Sequence, residues 1–78
     1  MIAVGDCVRL IAVAKAADSN GPPVGSIGVV TRIHGFDDNG APVTVLVRFH
    51  NFNERIADDV EPGVWLVGVD EIDPTRPN

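Results

Sequence analysis

The sequence predicts a small all-β domain, five short antiparallel strands in sequential order curled into a barrel. Its apolar residues are mainly valine, alanine and isoleucine, with three Phe, one Trp and no Tyr. β-Branched side chains are stiff at the first torsion and pack well on pleated surfaces, so they favour strands. Eight Gly and six Pro within 78 residues supply turns at short intervals. Between those turns, apolar and polar residues alternate with the period of two that a half-buried strand requires.

The first expected strand runs from Asp6 to Val13, released by the turn at Val4-Gly5-Asp6, with Val8 and Leu10 on one face and Cys7, Arg9 and Ile11 on the other. Ala12 to Ala17 has a helix-favouring composition, but Asp18-Ser19-Asn20-Gly21-Pro22-Pro23 stops a helix after about one turn. Ala14 to Val24 is therefore expected to be an irregular loop. The second strand, Ser26 to His34, puts Ile27, Val29, Thr31 and Ile33 on one face and Val30, Arg32 and His34 on the other. Gly35 to Pro42 is turn-forming, and Asn39-Gly40 tolerates the left-handed backbone of a tight hairpin.

The third strand, Val43 to His50, alternates most cleanly: Val43, Val45, Val47 and Phe49 inward, Thr44, Leu46, Arg48 and His50 outward. Asn51 to Gly63 is polar and acidic, with Ile56-Ala57 a candidate for a brief fourth strand. Val64 to Val67 is a further strand, and Asp70-Glu71-Ile72-Asp73 a tight turn into a last short pairing through Ile72. Closing this meander into a barrel would remove exposed sheet edges.

At this length there is room for one domain, spanning residues 1–73, with 74–78 expected as a flexible C-terminal tail. So short a chain buries only about 60–65% of the surface its unfolded form exposes. A single cysteine forms no internal disulfide, and secreted domains of this size usually need such staples. No apolar run approaches the ~20 residues of a membrane span. The expectation is a cytoplasmic protein without membrane contact. Eleven acids against six bases give a net charge of -5. That balance argues against nucleic acid as a partner, because phosphate neutralisation by a basic surface supplies most of such affinity.

Gly5-Asp6-Cys7-Val8-Arg9-Leu10, Gly25-Ser26-Ile27-Gly28-Val29-Val30, Val45-Leu46-Val47-Arg48-Phe49 and Val69-Asp70-Glu71-Ile72 together resemble the pattern of small SH3-like barrels. Similar patterns occur in mind-bomb/HERC-type domains, in KOW-type translation and transcription modules, and in short bacterial and phage proteins. The likeness covers roughly Val4 to Asp73 and implies a five-stranded SH3-like antiparallel barrel. It implies no activity, and no functional residue is carried over from it.

The residues offer little to catalysis. Cys7 has only Arg9 as a nearby base in sequence, and a nucleophilic cysteine needs a partner that holds it as thiolate, usually histidine. His34 and His50 with Cys7 would make three zinc ligands without the close spacing of zinc motifs. Asp37-Asp38-Asn39-Gly40 lacks the alternating ligands and closing glutamate of a calcium loop. No phosphate-cradling loop or nucleophile elbow is present. No enzyme activity, cofactor or metal is expected.

The expected function is a non-catalytic protein-binding module or small adaptor for another protein of basic character. Phe36 and Phe52 fall in expected loops, where an aromatic side chain can anchor a partner; Trp65, inside an apolar strand, reads as core. The expected partner surface joins Arg48, His50 and Phe52 to the acidic loop at Asp58 and Asp59, an aromatic anchor with a charged rim. One alternative is a KOW-like nucleic-acid-associated module, which requires Arg9, Lys15, Arg32 and Arg48 to cluster on one face. Another is an acidic phage-type inhibitor whose carboxylates imitate nucleic-acid charge.

Overall fold

The computed structural model describes residues 2–14 and 21–75. Its strands are β1 (Cys7–Leu10), β2 (Ile27–Phe36), β3 (Pro42–Phe49), β4 (Val64–Gly68) and β5 (Ile72–Pro74). They form one antiparallel sheet in the order β4-β3-β2-β1-β5, and a single 3₁₀ turn, Val69–Glu71, joins β4 to β5. That turn is the one helical element among the described residues, and none is long and apolar enough to cross a membrane. The all-β expectation holds.

Every strand sends side chains into one buried cluster: Val8 and Leu10, Val30, Val45, Val47 and Phe49, Trp65 and Val67, and Ile72. Residues of both edge strands, β4 and β5, meet in that cluster, so the sheet coils around it. Full burial of each such side chain contributes roughly 1.5–3 kcal/mol, which is where this small domain finds its stability. The inward set expected for the third strand is buried from Val45 onward, while Val43 at its start remains 43% exposed.

Strict alternation fails on β2. Val30 faces Val47 and Arg32 faces Leu46, which leaves Thr31 as an extra residue on β2. The Thr31 hydroxyl donates to the Leu46 carbonyl at 3.2 Å. Such a bulge shifts the pleat by one residue. Val30 and Ile33, expected on opposite faces, therefore both pack against the core.

Four boundaries also differ from expectation. β1 stops at Leu10, where Leu10 N–H donates to Ser26 O and Gly25 N–H to Leu10 O; beyond that turn β2 offers no further partner. Ile56-Ala57 forms no strand, because the Val60 N–H closes a turn onto the Ala57 carbonyl; Ile56 instead half-buries against the core. Phe36, expected in a loop, ends β2 opposite Pro42. Pairing at the C-terminus reaches past Asp73, since Pro74 lies opposite Val8 and Thr75 N–H donates to Cys7 O at 2.8 Å. The expected loop and tail fall partly on residues 15–20 and 76–78, outside the described residues.

Closure into a barrel is not observed: β4 and β5 remain the two edges of the sheet. Both edges are blunted locally instead. Phe49 N–H donates to Gly63 O at 2.8 Å, which sets the ladder so that Trp65 and Val67 bond to β3 while the main-chain groups of Val64, Leu66 and Gly68 face outward. The Val64 N–H is capped by the Glu61 carbonyl at 3.3 Å, and the Gly68 N–H by Glu71 Oε1 at 2.6 Å. On the free side of β5 stands Pro74, which has no N–H to expose.

Candidate partner-binding surface

β3 ends at Phe49, and the chain doubles back at once. His50 N–H donates to the Ile27 carbonyl at 2.8 Å, and Asn51 takes a left-handed φ of 59°, which Asn adopts more readily than most residues. Opposite lies the turn that starts β2, where the Ser26 N–H and hydroxyl both donate to the Pro23 carbonyl, at 3.1 and 2.5 Å. Between the two segments runs a groove of about 590 Å³, lined by Pro23 to Ile27 on one side and His50 to Phe52 on the other.

Two of the expected site residues meet in this groove. His50 is exposed. Phe52 is half-buried, its ring meeting Trp65 edge to face with centroids 5.7 Å apart at 79°. Phe52 thus caps the core while still contributing to the groove wall. Trp65 is core, only 4% exposed.

Arg48, Asp58 and Asp59 do not line the groove. Arg48 projects from the outward face of β3, and its Nη2 pairs with Glu61 Oε2 at 2.5 Å, both side chains more than half exposed. Such a pair contributes at most about 1 kcal/mol. Asp58 and Asp59 stand exposed in a turn held by Arg55, whose Nη1 donates to the Val60 carbonyl at 3.2 Å and the Asp58 carbonyl at 3.4 Å. Asp37 serves its own hairpin: Oδ1 accepts the N–H groups of Asn39 and Ala41 at 2.8 and 2.9 Å.

Register places Arg9, Arg32 and Arg48 on the outward face, opposite Ile27, Leu46 and Val29 respectively. Arg48 pairs with Glu61 and Arg9 lies across from Asp73, while Lys15, the fourth residue of the expected basic cluster, lies outside the described residues. Cys7 is half-buried on β1, and His34 Nδ1 shares a hydrogen bond with Thr44 Oγ1 at 3.1 Å. Among the described residues no three His, Cys, Asp or Glu are grouped to hold a metal ion.

The Pro23–Ile27 wall carries no charged or aromatic side chain, so nothing in its residue types marked it as part of a site. No protein-family model matches this chain, and neither a curated protein nor a solved structure gives a significant match.

Proposed function

We propose that this chain is a non-catalytic protein-binding module built on an SH3-like, partly open barrel. The barrel reading is supported by the strand order, by the 3₁₀ turn between β4 and β5, and by the coiling of one sheet around one core. The observation that carries the binding reading is the groove in which two separate loops, Pro23 to Ile27 and His50 to Phe52, converge. Its size suits a few partner side chains. The net charge of -5, with Asp58 and Asp59 exposed, favours fast, salt-sensitive association with a basic protein.

The test is capture of partners from the native host at two salt concentrations, with mass spectrometry, by the wild type and by a folded His50→Ala, Phe52→Leu variant. Leucine keeps an apolar cap on Trp65 while removing the aromatic face. Capture of one protein by the wild type and its loss in the variant supports the reading. Equal capture by both places the interface elsewhere.

A second reading, a KOW-like nucleic-acid-associated module, is favoured by the shared outward face of Arg9, Arg32 and Arg48. A submicromolar complex with duplex DNA or RNA near physiological salt would promote it over the first.

A further inference from the structure

Asn39 stands exposed at the tip of the β2–β3 hairpin, and no hydrogen bond among the described residues holds its side-chain amide. Gly40 follows it, with φ +80° and nothing within 4 Å of where a β-carbon would lie. The main-chain nitrogen after an asparagine is the atom placed to close a five-membered ring on the side-chain amide carbon. A side chain on that next residue crowds the ring, and glycine has none. The other asparagines among the described residues, Asn51 and Asn53, are followed by Phe52 and Glu54.

The turn restrains this chemistry through one residue. The Asp37 carbonyl accepts the Gly40 N–H at 3.1 Å, and Asp37 Oδ1 accepts the Asn39 and Ala41 N–H groups at 2.8 and 2.9 Å. Attack requires the Gly40 nitrogen to leave the Asp37 carbonyl, so the bonds that close the turn hold the nucleophile back. Asp37, Asp38, Asn39 and Gly40 are all exposed, so water replaces each bond that opens.

We infer that Asn39 is a site of spontaneous modification, converting to aspartyl and isoaspartyl residues at a rate set by Asp37. The Gly40 nitrogen gives its proton to hydroxide and bonds to Asn39 Cγ. The Cγ–Nδ2 bond then breaks, and ammonia leaves with a proton taken back from water. Water opens the resulting cyclic imide: attack at Cγ gives an aspartyl residue, and attack at the main-chain carbonyl carbon an isoaspartyl one. One water is consumed, one ammonia is released, and nothing is oxidised. Either product adds a negative charge to the net of -5, beside Asp37 and Asp38. The isoaspartyl form also inserts a methylene into the main chain, which displaces the Ala41 carbonyl from the Asp37 N–H it accepts at 2.9 Å. This goes beyond the binding reading and does not rest on it.

The test ages the full chain at mildly alkaline pH and follows each asparagine by peptide mapping, with chromatography that separates aspartyl from isoaspartyl peptides. Both products are expected at Asn39, with Asn51 and Asn53 unchanged. Asp37→Ala, which removes the Oδ1 acceptor, should speed conversion by about fivefold or more, the effect of one or two net hydrogen bonds. Asp37→Asn, which removes the charge but keeps a carbonyl acceptor, should stay closer to the wild type. In concentrated urea the wild type should convert faster than when folded, and its difference from Asp37→Ala should vanish. If Asp37→Ala does not fold, the folded and urea rates of the wild type decide. An Asn39 that stays intact in the folded chain while converting in urea overturns the inference. Conversion confined to Asn20, the other asparagine followed by glycine, overturns it too. Equal rates for the wild type and a folded Asp37→Ala overturn the role of Asp37.

Discussion

Gly28 lies against the main chain of Arg48: a β-carbon at position 28 would stand 2.6 Å from the Arg48 carbonyl oxygen and 2.6 Å from Val47 Cγ1. β2 and β3 approach this closely because Gly28 sits buried on the inward side of the hairpin, opposite Phe49. The contact is with backbone, which cannot swing aside. Gly28→Ala is expected to destabilise by about 1–3 kcal/mol. For a domain of this size that is a fall of roughly 4–8 °C in Tm per kcal/mol, measurable by thermal unfolding. An unchanged Tm would show that the hairpin yields freely.

Val47 and Leu46 are neighbours on β3 with opposite fates, the first fully buried and the second half-buried on the outward face. Val47→Asp should abolish the folded state, because an unpaired buried charge costs several kcal/mol against a total of roughly 5. Leu46→Asp should leave a folded protein with reduced stability. Circular dichroism of the two variants settles the inward and outward assignment, which is wrong if they behave alike.

Glu71 is only 4% exposed, and its Oε1 accepts the Gly68 N–H at 2.6 Å across the 3₁₀ turn. Removing the acceptor strands that N–H and loosens the link between β4 and β5. Glu71→Ala should cost about 1–3 kcal/mol, and Glu71→Gln, which keeps a carbonyl acceptor, less than Glu71→Ala. Urea unfolding distinguishes them through the midpoint at constant slope.

Gly63 has φ +86°, and a β-carbon there would come within 2.6 Å of the Phe52 carbonyl oxygen. The position closes the Glu61-Pro62-Gly63-Val64 turn, in which a positive φ follows proline. Gly63→Ala combines left-handed strain of roughly 1–2 kcal/mol with that clash. It should also disturb the Phe52 cap on Trp65, so a shift in Trp65 fluorescence should accompany the lost stability.

The Arg48–Glu61 pair should contribute little, although its geometry is good. A double-mutant cycle with Arg48→Ala and Glu61→Ala should give a coupling below about 1 kcal/mol that shrinks with added salt. A coupling several times larger would mean the pair is shielded from water.

By itself the sequence determined the local features. Valine-rich alternation set β3 and its buried face, the Asn39-Gly40 hairpin joined it to β2, and Trp65 belonged to the core because it lay in an apolar strand. These follow from short-range rules, in which residues two apart share a face and glycine permits a turn. The tertiary structure decided what depends on partners distant in the chain. Thr31 became a bulge residue only because the pairing with β3 sets Val30 against Val47 and Arg32 against Leu46, which brought Ile33 to the core side. Phe52 divided its ring between Trp65 and a groove whose other wall comes from Pro23 to Ile27. The sheet stayed open, with the Glu61 carbonyl and the Glu71 side chain capping β4 and Pro74 blunting β5, edge contacts that no period in the sequence encodes.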